Sequence, residues 1–167
     1  MEEQFSIKTI FLGDQGVGKT SILNRFANNT FMPSYSATIG LDFVSKYIEI
    51  CNRNVKLVLY DTAGQEKFKS LIPMYIRDAK VIILVYDVTS KDSINKALTW
   101  IDDNKIINDS NVIIALVGNK IDGENRKISF EEGQNLAIER NFVFEEVSAK
   151  TGENVENVFL TLAKMVS

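Results

Sequence analysis

IKTIFLGDQGVGKTS, residues 7–21, decides the fold. An apolar run ends at Gly13, and the spacing that follows is glycine, four residues, then Gly-Lys-Thr. That is the form of a phosphate-binding loop set between a strand and a helix. Glycines let consecutive backbone N–H groups turn inward around phosphate oxygens. The helix behind them adds its positive N-terminal end. In this arrangement Gly13, Gln15, Gly16, Val17, Gly18 and Ser21 line the loop, Lys19 reaches the terminal phosphates, and the Thr20 hydroxyl ligates Mg²⁺. The alternative is an accidental glycine-rich turn, which has no use for Lys19.

Working outward, apolar strand-like runs alternate with helical patterns. Behind the loop, Ile22, Leu23, Phe26 and Ala27 share one side of a helix. LDFVSKYIEI (41–50) and VKLVLYD (55–61) read as strands joined at CNRN, a hairpin turn. VIILVYD (81–87) is a buried strand, followed by Ile94, Ala97, Leu98 and Ile101 at helical spacing. VIIALV (112–117) is another buried strand. Ser129 and Glu132 have capping-box spacing before a helix through Arg140. NFVFEEVSAK (141–150) holds the last strand and its loop, and Val155, Val158, Phe159 and Leu162 form the inner face of a final helix. Residues 28–40 read as irregular, and 62–78 have no clear period.

The expected fold is α/β, of the P-loop NTPase type. It is a three-layer sandwich with a six-stranded, mostly parallel sheet, one antiparallel edge strand and about five helices. Residues 1–167 form a single domain of ordinary size. Ligands in such sheets bind at the carboxyl ends of the strands. That rule selects the loops 13–20, 38–40, 61–65, 119–122 and 148–150.

Composition narrows the chemistry. With no histidine, His-based catalysis and His-ligated metal are excluded. One cysteine, Cys51, excludes an internal disulfide and a Cys-rich zinc site. A net charge of −3 calls for no nucleic acid. The acidic start and short apolar run of MEEQFSIKTIFLG are unlike a signal peptide.

Two further motifs lie on the selected loops. In LVLYDTAGQE (57–66), Asp61 ends a buried strand where a carboxylate holds Mg²⁺, through water. Gly64 lets its N–H approach a terminal phosphate, and Gln65 is placed to orient a water. Alone, a strand ending in Asp and followed by glycine is often a mere turn. In GNKID (118–122), the Asp122 carboxylate matches guanine N1–H and its exocyclic amine. Adenine offers no N1–H, and such a mismatch discriminates strongly. The Lys120 stem suits the purine face, Asn119 can tie base loop to phosphate loop, and the Ala149 N–H of SAK (148–150) suits guanine O6. Taken singly, GNKID is also a plausible polar turn.

Together, GDQGVGKT, Thr38, DTAGQ, NKID and SAK resemble the G-motifs of the Ras superfamily of small GTPases, over the whole chain. IGLDF (39–43) and FKSLIPMYIRDA (68–79) resemble the Rab branch, and SLIP with YIRDA most resembles its Golgi-associated subgroup. The resemblance implies GTP/GDP and Mg²⁺ as cofactors. Phe31 would stack on the guanine, and Ser148, Ala149 and Lys150 would line the base. Thr20, Thr38 and Asp61 would serve the metal. Lys19 and Gln65 would carry catalysis of GTP hydrolysis. Residues near 30–45 and 63–79 would be two switches, and Phe43, Tyr60 and Tyr75 would meet effectors. For Phe43 and Tyr60 the plainer alternative is partial core packing.

Partners implied are an exchange factor, an activating protein, a dissociation inhibitor and trafficking effectors, with the chain itself a monomer. The expected location is cytoplasmic, cycling to Golgi or other endomembranes. Rab proteins continue into a tail with prenylated cysteines. None follows Ser167, so membrane attachment rests on the resemblance and the chain as it stands is expected to be soluble. Tyr60 stands where most Rabs carry tryptophan, and Gln15 occupies a usually small position. Gln15 is therefore expected to slow hydrolysis. The rivals are a P-loop phosphotransferase and a scaffold holding nucleotide without turnover. The first needs an arginine-rich lid, but residues 62–80 hold only Arg77. Gln65 and Thr38 argue against the second.

Overall fold

The computed structural model describes residues 5–29, 41–62, 72–104 and 111–167, without the side chains at 41, 42, 72 and 75. Six strands form one sheet in the order β2-β3-β1-β4-β5-β6. They are β1 (Ser6–Gly13), β2 (Leu41–Ile50), β3 (Arg53–Thr62), β4 (Val81–Asp87), β5 (Ile113–Asn119) and β6 (Val143–Glu146). Helices α1 (Lys19–Asn28), α3 (Lys91–Asp103), α4 (Phe130–Arg140) and α5 (Val155–Val166) are joined by the short α2 (Ile72–Ile76). Only β2 runs antiparallel, against β3. The α/β architecture expected from the sequence is therefore present.

The antiparallel pair follows from its turn. Cys51 and Asn52 both have positive φ, 50° and 61°. Two such residues make the tight turn whose twist suits a hairpin, and Ile50 then faces Arg53.

Strand alternation divides the core in two. Ile7 and Phe11 of β1, with Val81, Ile83 and Val85 of β4, face α1 and α5, where Phe26 stacks on Phe159 at 3.9 Å. Ile10 and Leu12, with Ile82, Leu84 and Tyr86, face α3 and α4, whose contributions include Ile94, Leu98, Ile101 and Ala137. Central strands buried on both faces read as continuous apolar runs, as VIILVY does. Ser129 caps α4 by accepting from the Glu132 N–H at 3.1 Å, as the capping box requires.

The segment without a clear period contains α2, whose helix spans only Ile72–Ile76 and so leaves too few turns to print a pattern. β1, β3, β4 and β5 all point their carboxyl ends to the same edge, since β1 is parallel to β3 and β4, and β4 to β5. Gly13 ends β1 opposite Val85, and β4 and β5 run two residues further to end together at Asp87 and Asn119, so the rim steps up from β1 to β5.

Candidate functional site

The phosphate loop sits on that rim. Gly13 has φ 148°, and a Cβ there would lie 2.4 Å from the Val85 carbonyl oxygen. Gly18, with φ 100°, would bring a Cβ within 2.2 Å of Asn119 Nδ2. Gly16 has φ 81° with nothing within 4 Å. The left-handed backbone and the close approaches explain the glycines. Between them Val17 is buried, anchoring the loop to the core, while Gln15 is exposed and Ser21 half-buried.

Lys19 opens α1 and turns back across the loop. Its ammonium donates to the carbonyls of Gly13 at 2.8 Å and Asp14 at 3.0 Å. The residue is 6% exposed. Burial pushes its pKa from 10.5 down to about 8, against the opposing pull of Asp61 and Asp14. A cation buried among backbone dipoles, with its partners only partly compensating, is suited to receive an anion. Asp14 itself pairs with Lys96 of α3 at 3.2 Å.

One residue on, the Thr20 hydroxyl donates to Asp61 Oδ2. Asp61 is 3% exposed at the end of β3, and the next residue, Thr62, bonds to the Phe11 carbonyl at 2.6 Å, locking β3 to β1 there. The donors that meet at this corner, a hydroxyl and a carboxylate, are hard oxygens that suit Mg²⁺. Among the described residues no group of three carboxylate, thiol or imidazole side chains could hold a metal. One hydroxyl and one carboxylate suit a metal that keeps waters and takes phosphate oxygens, as Mg²⁺ does. Thr20 and Asp61 would hold it.

The base end is assembled from three distant loops. Asn119, 2% exposed, donates from Nδ2 to the Val17 carbonyl at 3.0 Å. Its Oδ1 accepts from the Ala149 N–H at 3.1 Å. The N–H expected to face guanine O6 thus donates to Asn119 in this structure. Lys120, at φ 69°, extends over the phosphate loop to the Gly16 carbonyl at 2.8 Å and to Asp87 Oδ2 at 3.0 Å. Asp122 is exposed, and its Oδ1 accepts from the Ser148 hydroxyl at 2.6 Å. Ser148 Oγ also accepts from the Thr151 N–H at 3.1 Å, which holds the SAK turn closed.

The structure brings together Gly13, Gln15, Gly16, Val17, Gly18, Lys19, Thr20, Ser21, Asp61, Asn119, Lys120, Asp122, Ser148, Ala149 and Lys150 at one edge of the sheet. Phe31, Thr38, Gly64, Gln65 and the Tyr75 side chain lie outside the described residues. Phe43 is 61% exposed on β2, with its ring 5.6 Å from that of Tyr60. Tyr60 is half-buried, packs against the core, and carries the Lys8 ammonium over its ring at 5.3 Å. The plainer packing alternative therefore describes Tyr60 in part and Phe43 not at all.

Two residues of the site escape the sequence reading. Asp87 holds Lys120 while its other oxygen accepts from the Thr89 N–H and hydroxyl. The signal was there, since Asp87 ends a buried strand as Asp61 does. Arg25 of α1 grips the SAK loop through carbonyls more than a hundred residues away, and no local pattern announces that.

The Ras family model matches residues 8–167. Phosphate loop, strand-end aspartate and base loops stand in the order and place that such a protein requires. The chain belongs to the Ras family and is a small GTPase, a guanine-nucleotide switch that hydrolyses GTP and works with Mg²⁺.

Proposed function

We propose that this GTPase is of the Rab type and recruits vesicle-trafficking effectors in its GTP state, at Golgi membranes. The observation that carries this reading is the placement of the Phe43–Tyr60 pair. β2 begins directly after residue 40 and β3 ends directly before residue 63, so the hairpin joins the two segments that resemble switches. An aromatic pair with Phe43 exposed and Tyr60 half-buried, beside nucleotide-sensitive segments, suits a surface that is read only in one state. IGLDF and FKSLIPMYIRDA add the sequence resemblance.

In hydrolysis, Mg²⁺ when bound neutralises charge on the phosphates. The chain supplies position. Lys19 meets the terminal phosphates, Thr20, Thr38 and Asp61 hold the metal, Gln65 orients the water, and Asp122 with Ala149 reads the base. Gln15 lies near the γ-phosphate and crowds the catalytic Gln65. Intrinsic turnover is then on the order of 10⁻⁴ to 10⁻² s⁻¹, and an activating protein is needed for speed. Exchange needs a second protein, the monomer cycles between cytosol and membrane, and a lipidated tail anchors it.

The test pairs nucleotide state with effector binding. Protein loaded with a non-hydrolysable GTP analogue is titrated against a purified Golgi Rab effector, beside GDP-loaded protein and Phe43→Ala. Binding by the GTP form alone, weakened tenfold or more by Phe43→Ala, supports the reading. Equal binding of both nucleotide forms, or none, overturns it. Gln65→Leu retains GTP binding and loses stimulated hydrolysis; undiminished turnover removes Gln65 from its role.

A further inference from the structure

We infer that Arg25 is a positioning residue for guanine recognition, acting through the SAK loop. The inference rests on the reading that the SAK loop presents backbone N–H to guanine O6, and it extends that reading from Ala149 to the next N–H, that of Lys150. Helix α1 starts at the phosphate loop with Lys19 and Thr20. Less than two turns later Arg25 donates from Nε to the Ala149 carbonyl at 2.8 Å and from Nη2 to the Lys150 carbonyl at 2.6 Å. Its remaining nitrogen, Nη1, meets the Asn29 carbonyl and side-chain oxygen, each at 3.3 Å. The guanidinium therefore ties two backbone segments together: the SAK loop and Asn29, the residue that closes α1 and leads into 30–40.

The geometry explains why an arginine is used. Two carbonyls side by side need two donors held in one plane, which a guanidinium has and an ammonium lacks. Carbonyl and N–H of a trans peptide point in opposite directions. Arg25 pulling on the Ala149 carbonyl therefore turns the Lys150 N–H away from α1. Asn119 holds the Ala149 N–H from the other side. The two successive N–H groups of the loop are each fixed by a side chain from another element. Gly152 takes the left-handed φ of 86° that closes the loop beside the arginine. One rigid helix thus sets the distance between the phosphate loop at one end and the base loop at the other. Preorganised donors are worth more than donors that must be ordered on binding.

The inference separates two contacts with the base. The backbone N–H groups face O6, whereas Asp122 faces N1–H and the 2-amine. 6-Thio-GDP weakens the acceptor at position 6 and keeps N1–H and the amine. IDP lacks only the amine. Full-length protein is titrated with GDP, 6-thio-GDP and IDP, as wild type, Arg25→Ala and Arg25→Lys, with melting under saturating GDP to confirm folding.

In wild type GDP binds tighter than either analogue. Arg25→Ala is expected to release GDP about tenfold faster. It is also expected to bring the GDP to 6-thio-GDP ratio toward one while leaving the GDP to IDP ratio as it was. Arg25→Lys, with one donor head, falls between. Unchanged release, or a parallel fall in both ratios, overturns the inference and makes Arg25 a general brace. Wild type that fails to distinguish GDP from 6-thio-GDP defeats instead the underlying assignment of the SAK N–H groups to O6.

Discussion

The two ends of the nucleotide site are built on different principles. The phosphate end comes from one continuous stretch, Gly13 to Thr20, in which backbone conformation does the work and the glycines are forced by left-handed φ and close approach. The base end comes from β5, β6 and α1, and side chains join them: Asn119 to Val17 and Ala149, Ser148 to Asp122, Arg25 to Ala149 and Lys150. A continuous cradle survives the loss of a neighbour. A stitched one depends on each stitch. The phosphate end should therefore fail at its charge, and the base end at its hydrogen bonds.

The largest effect is expected at Lys19. Lys19→Met should weaken GDP binding by roughly 30-fold to several thousand-fold, corresponding to about 2–5 kcal/mol for removing one partner of a buried charge pair. The same residue gives the phosphate end a pH signature. In the nucleotide-free protein its pKa is about 8, and bound phosphates raise it. Binding is thus strongest below pH 8 and weakens as pH rises, because the complex must first take up a proton. Folding has the opposite sign. The unfolded chain holds the Lys19 proton up to 10.5 and the nucleotide-free fold only to about 8. The unfolded state therefore binds more protons between those values, and stability rises with pH across that window. Differences between wild type and Lys19→Met, in calorimetric affinity and in urea unfolding, isolate both trends. A pH-independent difference would place the ammonium in an ordinary solvated environment.

The junction of the two ends is Asn119 against Gly18. Asn119→Ala leaves the Val17 carbonyl and the Ala149 N–H without their partner, at about 1–3 kcal/mol for each buried group. A fluorescent GDP analogue should dissociate about 10- to 100-fold faster. Gly18→Ala places a methyl 2.2 Å from Asn119 Nδ2 and so displaces the same amide. The double variant should then be much less damaging than the sum of the singles, because both break one junction. Additive effects would mean that Gly18 acts through its φ of 100° alone, and the two ends would be independent.

This division also governs what the sequence reveals. The phosphate loop is legible because its chemistry is local, with every group within one short run. The strands of 41–50 and 81–87 are read to the residue because alternation or continuous burial marks them. α2 is illegible because it is shorter than the two turns that a helical pattern needs. In the site, Asp122 and Asn119 are recognisable from the guanine-matching chemistry of NKID. Asp87 is missed because a strand-end aspartate is read as functional when a glycine stands three residues on, as Gly64 does after Asp61, whereas Ser90 holds that place after Asp87. Arg25 has no such signal. It faces its partners only after α1 and α5 pack on the same face of the sheet, and nothing in NRFANN shows that.

Asp87 offers a smaller effect, one that tests how strongly the ends are joined. Its pair with Lys120 is partly open, with the lysine side chain 42% exposed and the aspartate 11%. Screening limits such a pair to about 1 kcal/mol or less. Asp87→Asn keeps an oxygen for Thr89 and removes the charge. GDP release should quicken by about fivefold at most, and 1 M salt should erase much of the difference. A salt-insensitive loss of tenfold or more would show that Asp87 shapes the loop through Thr89 and not through Lys120.

The smallest effect is expected beneath the base end, at Tyr86. The ring is fully buried in β4 among Gly118, Gly133 and Phe144, and among the described residues its hydroxyl has no hydrogen-bond partner. Burial holds its pKa well above the ordinary phenol range. Gly118 directly precedes Asn119, so a strained tyrosine would be felt in the base loop. Removing an unpaired buried hydroxyl relieves a desolvation cost. Tyr86→Phe should therefore leave GDP release unchanged and raise unfolding stability by about 1 kcal/mol. A loss of stability would reveal a buried water on the hydroxyl. Faster GDP release would show that the side-chain stitches above Gly118 depend on the core below them, and that the base end is held from beneath as well as from the sides.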